Sequence, residues 1–395
     1  MSVSHRRIID ESGRIARGAA LVGIAAIGIA TVALDGAAAQ SAASHQSFPA
    51  TVRGYSAPTR EVPAATAQEA AARRILEGQV RALGQNFSGD IGIAVRDVQS
   101  GWTTSFDGET FFPQQSVSKF WVALTAFDKA DRGELSMTAP VTVRRDDVTL
   151  FHQPIKAQIG ANGYSTTIGD LIFRAITQSD NTCNDFVLWK SGGPDAVRAF
   201  LRSRGIEGIR FGPGERLLQS QIAGIQWQQS WAYNGGFYKA RSALPAAQRR
   251  AAFERYIANP MDGATPNGIV DALARLKRGE LLSPSSTQKL LSIMGNTRTG
   301  AQRLKGGLAP GWHLSHKTGT GQVLGGEQAG YNDIGLLTGP DGRSYAVAVM
   351  IRRTSAPLGQ RMAAMQSTVR AVISFDQNVS SYGMARYGVN EAGSR

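Results

Sequence analysis

Cysteine is almost absent from this chain: Cys183 is the only one in 395 residues. A single thiol closes no intrachain disulfide and builds no cysteine-based zinc site. It lies in the apolar run 182–189, where an inert core role is expected. Histidine is also scarce, with five copies at no metal-ligand spacing. Neither a metal nor a cofactor is therefore expected. A Ser-His-Asp triad survives the count, but no pattern points to one. Charged residues make up only 18% against 42% hydrophobic ones, a globular composition rather than a disordered one.

Long apolar runs are missing too, apart from Gly18 to Leu34. Arg6, Arg7, Arg14 and Arg17 precede that run and Ala37-Ala38-Ala39 follows it. Residues 1–39 thus read as an export signal cut after Ala39, with no stable membrane insertion afterwards and a periplasmic or secreted product. The competing reading is a retained anchor, for which the run is short. Cutting would remove four arginines against Asp10, Glu11 and Asp35, leaving +12 of the whole chain's +13. Such a charge favours anionic partners. Its arginines come as scattered pairs (73–74, 144–145, 249–250, 352–353) without interleaved aromatics. A basic solvated surface is expected, and no nucleic acid partner.

Residues 40–64, polar and rich in Ser, Ala and Pro, read as a flexible lead-in to a domain over 65–378. Helical spacing runs from Thr66 to Leu83. Strands are expected over Ile91–Val95, Trp102–Phe106, Trp312–Lys317, Tyr331–Leu337 and Tyr345–Ile351. Gly169 to Lys190 reads as two helices, and Leu358 to Phe375 as a closing one before a loose polar tail from 379. Strands at both ends with helices between them imply a sheet lobe (65–120 plus 283–378) around a helical lobe (about 121–282).

Three short words carry the chemistry: Ser116-Val117-Ser118-Lys119, Ser179-Asp180-Asn181 and Lys317-Thr318-Gly319. A serine hydroxyl attacks a carbonyl only if a base takes its proton. On a helix, positions i and i+3 share a face, which sets Lys119 against Ser116. Each word alone is weak. Ser286-Thr287-Gln288-Lys289 repeats the first pattern, out of order, and reads as a surface capping serine with a solvated lysine. The ordered set, with 63 and 138 positions between its serines and lysine, points to one shared site.

This ordered set resembles that of class A β-lactamases, within the wider group that includes penicillin-binding proteins. The resemblance runs from about residue 66 to 376. It implies a fold of the α/β class (α+β type), an antiparallel sheet flanked by helices plus a mostly helical subdomain. It also implies a small-molecule β-lactam substrate; a monomer is expected, although nothing in the sequence reads out the quaternary state. By the same resemblance Ser116 is the nucleophile, Lys119 a proton carrier, and Ser179 the donor to the leaving nitrogen. Asn181 would bind the substrate's amide side chain. Lys317, Thr318 and Gly319, with the auxiliary Arg303, would bind its carboxylate. The backbone N–H groups of Ser116 and Thr320 would form an oxyanion hole. Phe151 or His152 falls where the family places an aromatic gate.

Counted from Gly192-Gly193-Pro194, the family's deacylating glutamate falls on Glu215, with Gln219 where an asparagine usually helps to hold the water. Here the chain departs from the pattern. Asp262 matches one side of the ion pair that locks the family's omega loop, but the arginine position falls on Pro213 and Arg216 replaces the usual proline. The 47 positions from Glu215 to Asp262 hold an insertion of several helical turns. Its Trp227, Trp231, Tyr233, Phe237 and Tyr238 are expected to form a packed cap that holds the glutamate. Either Lys119 or Glu215 would take the Ser116 proton. Two other readings remain open: a D,D-peptidase or transpeptidase acting on cell-wall peptides, and a β-lactam-binding module without turnover.

Overall fold

The computed structural model describes residues 67–391, with side chains through Val379. The signal, its cleavage site and the lead-in 40–64 lie outside the described residues. Among those described, no helix is long and apolar enough to cross a membrane.

The helices are α1 (Ala67–Gln85), α2 (Lys119–Asp131), α3 (Ile168–Thr177), α4 (Asn181–Lys190), α5 (Gly193–Ser203), α6 (Glu215–Ala223), α7 (Gly236–Ala243), α8 (Ala246–Ala258), α9 (Pro266–Lys277), α10 (Pro284–Gly295) and α11 (Leu358–Glu391). The strands are β1 (Asp90–Asp97), β2 (Thr103–Phe106), β3 (Phe112–Pro113), β4 (Pro140–Val143), β5 (Tyr164–Thr167), β6 (Gly263–Ala264), β7 (His313–Thr320), β8 (Val323–Leu324), β9 (Glu327–Thr338) and β10 (Ser344–Thr354). The main sheet is antiparallel, in the order β2-β1-β10-β9-β7, with β8 paired to β9. N-terminal and C-terminal strands meet at the β1–β10 pair, as the distribution of strands along the sequence implies.

Side-chain alternation sorts this sheet into two faces. Ile91, Ile93, Val95, Val347, Val349 and Ile351 pack with Leu76 and Val80 of α1 and Met365, Val369 and Val372 of α11. Ala94, Ala346, Ala348, Met350, Ile334 and Leu336 face the larger helical core. Small residues on this second face let helices sit close. There α2 is buried from Lys119 to Asp128, as expected of a helix without a polar face. Thr167, Asp180, Thr265 and Ser283 cap α3, α4, α9 and α10 through their side chains.

Two expectations need correction. The closing helix runs on to Glu391, so residues 379–391 are not a loose tail. Nothing there stops it: no proline follows, and the first glycine is Gly383. Asp376 is also tied back by the Tyr345 hydroxyl at 2.8 Å, and Phe375 stacks on Trp102. The second correction concerns the repeated Ser-x-x-Lys pattern. Ser283, not Ser286, caps α10; Ser286 is buried and donates to Asp131 at 2.6 Å, whereas Lys289 is exposed as expected.

Candidate active site

Ser116 lies in a 3₁₀ turn, Gln115–Ser118, that runs straight into α2. Lys119 opens that helix, is buried, and donates from Nζ to Ser116 Oγ at 2.8 Å. The residue before Ser116, Gln115, has φ +53°, a left-handed conformation that non-glycine residues rarely adopt. It is held there: its N–H donates to Asp262 Oδ2 at 2.8 Å.

Ser179 also has positive φ, +59°. It ends the junction between α3 and α4 and accepts a hydrogen bond from Lys317 Nζ at 2.9 Å. Asp180 of the same word does local work, accepting from Ile155 N and Cys183 N. Asn181 turns inward and donates to Leu150 O at 2.9 Å and to Glu215 Oε1 at 3.1 Å.

Lys317 comes from β7, fully buried. Burial, with the charge of Lys119 adding to it, holds its ammonium pKa well below the usual range. Thr318 shares a 2.7 Å hydrogen bond with Thr299. Gly319 is required by close approach: a Cβ there would lie 2.3 Å from Gln114 O, at the start of the turn that carries Ser116. Arg303 stacks 3.8 Å over the Tyr331 ring and donates to Gly319 O, Asn332 O and the Thr320 hydroxyl. It thus braces the end of β7 at the rim of the site.

Glu215 opens α6 and is buried. Its Oε2 lies 3.6 Å from Lys119 Nζ, and its Oε1 accepts from Gln219 Nε2 at 3.0 Å. Its own N–H donates to Asp185, a buried carboxyl pushed up to about 6 by burial and by the charge of Glu215. Sequence reasoning missed Asp185, Gln115 as a side-chain partner, Gln322 and Tyr256. Asp185 stands four residues beyond Asn181 on α4, one turn along the same helix face, which was the available signal.

The expected lock of the omega region takes another form. Asp262, buried and pushed up to about 6 by burial, accepts from the Tyr256 hydroxyl at 2.9 Å instead of from an arginine. The aromatic insertion is packed, but around Phe151 rather than around the glutamate. Phe237 is buried and meets Phe151 edge-on at 5.0 Å, Tyr238 is half exposed, and Trp227 and Trp231 lie beside them. Glu215 is held by the polar groups above, while Leu218 and Ile222 of its helix pack on Phe253, Tyr256 and Ile257 of α8. Arg216 reaches Asp146 O at 3.0 Å.

Ser116, Phe151, His152, Ser179, Asn181, Glu215, Gln219, Thr299, Arg303, Thr318 and Thr320 line one cavity of about 290 Å³. A larger groove of about 770 Å³ runs between α1 and α11, and none of the three words reaches it. Of the histidines, His316 pairs with Asp333 at 2.9 Å, yet among the described residues its Nε2 has no hydrogen-bond partner, so none of their serines completes a triad there. Cys183 is fully buried and burial pushes its thiol up, which leaves it inert. Among the described residues no group of three or more His, Cys, Asp or Glu is placed to hold a metal ion.

A buried lysine on a serine hydroxyl, a buried carboxylate beside that lysine and a second serine–lysine pair on the same cavity make up a serine hydrolase-like site at the edge of an antiparallel sheet. The family described as "Beta-lactamase enzyme family" matches residues 75–375, and the chain belongs to it. Beta-lactamase VEB-1 of Pseudomonas aeruginosa is 28% identical over 265 residues, 66% of this chain and 77% of that one. Extended-spectrum beta-lactamase PER-1 of the same organism is 27% identical over 242 residues, 61% and 68% of the two chains. Among solved structures, an ancestral class A beta-lactamase is 28% identical with a TM-score of 0.58, covering 76% of this chain and 99% of that one. TLA-1 extended-spectrum beta-lactamase, 23% identical with a TM-score of 0.63 and covering 76% and 97%, shares the fold.

Proposed function

We propose that this protein hydrolyses the amide bond of β-lactams, as a class A-like serine β-lactamase, through an ester on Ser116. The observation that carries the reading is Glu215. A site built only to be acylated needs Ser116 and Lys119; this one also buries a carboxylate 3.6 Å from Lys119 Nζ, in the same cavity as the nucleophile.

In acylation, Ser116 Oγ attacks the lactam carbonyl and gives its proton to Lys119 or Glu215. The C–N bond breaks, and the nitrogen takes a proton delivered through Ser179, which Lys317 holds in place. The N–H groups of Ser116 and Thr320 stabilise the oxyanion, each worth roughly 3–4 kcal/mol of barrier. In deacylation, Glu215 takes a proton from water as the water oxygen attacks the ester. The bond to Ser116 Oγ then breaks, and the serine recovers that proton. Asn181 faces the amide side chain of the substrate. Lys317, Thr318 and Arg303 attract its carboxylate, and Phe151 walls the entrance. An exported product fits this activity, since its substrate arrives from outside the cell.

A chromogenic cephalosporin tests the reading. Turnover by wild type and none by Ser116→Ala is the expected result; equal rates in the two proteins would contradict it.

A further inference from the structure

The side-chain amides around Glu215 form a chain whose direction is set at both ends. Arg241 of α7, which has only donors, gives a hydrogen bond to Gln322 Oε1 at 2.9 Å. Gln322 Nε2 donates to Gln219 Oε1 at 2.9 Å, and Gln219 Nε2 donates to Gln115 Oε1 at 2.9 Å. Gln115 Nε2 donates to the Tyr256 hydroxyl at 2.5 Å, which donates to the Asp262 carboxyl. A guanidinium at one end and a carboxyl at the other leave the amides between them one consistent orientation.

That orientation has a consequence for Glu215. Both N–H groups of Gln219 are committed, one to Gln115 Oε1 and one to Glu215 Oε1. Glu215 Oε1 also accepts from Asn181, so two amides occupy it. Among the described residues, Oε2 accepts from no amide, and it lies on the Lys119 side. Turned over, the Gln219 amide would set its carbonyl against both the carboxylate and Gln115 Oε1.

We infer that Gln115 and Tyr256 are positioning residues for deacylation: they fix the Gln219 amide, which holds Glu215 Oε1 and leaves Oε2 as the oxygen that takes the proton of water. The inference rests on the reading of Glu215 given above. It also gives the insertion a task, since α7 supplies Arg241 and α8 supplies Tyr256.

The test separates acylation from deacylation by single-turnover kinetics and intact mass, with a chromogenic cephalosporin on the full protein. Gln115→Leu frees one N–H of Gln219. Its deacylation is expected to slow by about tenfold, the equivalent of one hydrogen bond, while acylation stays within about threefold. Ester on Ser116 then accumulates. Tyr256→Phe, which removes a single oxygen, shifts the partition in the same direction and carries the test should Gln115→Leu not fold. Acylation and deacylation falling together, or an unchanged partition in both variants, overturns the inference while wild type still turns over. Absence of turnover in wild type instead overturns the reading of the site.

Discussion

At the scale of single residues, Asp262 and Asp185 sit where carboxylates are least comfortable. Both are buried near Glu215, and both are pushed up to about 6. For Asp262 the direction sets a pH dependence. Its folded-state value lies above the ordinary 3.8, so between the two the folded protein holds a proton that the unfolded chain has released. Stability from this group is therefore full below about pH 4 and declines as pH rises to 6, by about 3 kcal/mol. Asp262→Asn abolishes the decline. Urea unfolding of the two proteins at pH 4 and pH 7 is expected to show the variant gaining on wild type by about that amount at the higher pH. Parallel stabilities at the two pH values would contradict the assignment. The same residues show what was hidden in the sequence. Ser116, Lys119, Ser179 and Lys317 stand inside recognisable words. Tyr256 and Gln115 reach each other across 141 positions, and no local pattern records such a contact.

At the scale of elements, the strands were legible because alternation survives in Ile91–Val95 and Tyr345–Ile351. Their ends were not, since Glu327 to Gly330 and Arg352 to Thr354 are held by pairing with neighbours rather than by their own pattern. The insertion was visible as surplus length rich in aromatics, but its partners were not. Its α8 is tied to the sheet by Arg250 to Glu327 at 2.6 Å and by Arg353 to Glu254. These pairs are partly exposed and worth about 0–1 kcal/mol each, so they orient α8 more than they stabilise it. β7 comes close to the turn that carries Ser116 at Gly319. Gly319→Ala drives a Cβ into Gln114 O, and overpacking of this kind costs about 1–3 kcal/mol. A lowered melting temperature together with a lowered kcat/KM is expected. Melting and activity both equal to wild type would show that the contact is not as close as described.

At the scale of the whole molecule, one sheet receives strands from both ends of the domain, and its β7 edge faces the nucleophile's turn, the α3–α4 junction and α6. Ser116, Ser179 and Lys317, far apart in the chain, thereby line or abut a single cavity. The net charge of +13 suits the anionic small-molecule substrate proposed above. Glu215, as proposed, drives water onto the Ser116 ester, and an intact-mass time course with penicillin decides whether it does. Glu215→Gln is expected to hold the mass of one opened penicillin, while wild type returns to its free mass as drug is consumed. Wild type that keeps the adduct, or a variant that clears it as fast as wild type, would rule out this role for Glu215.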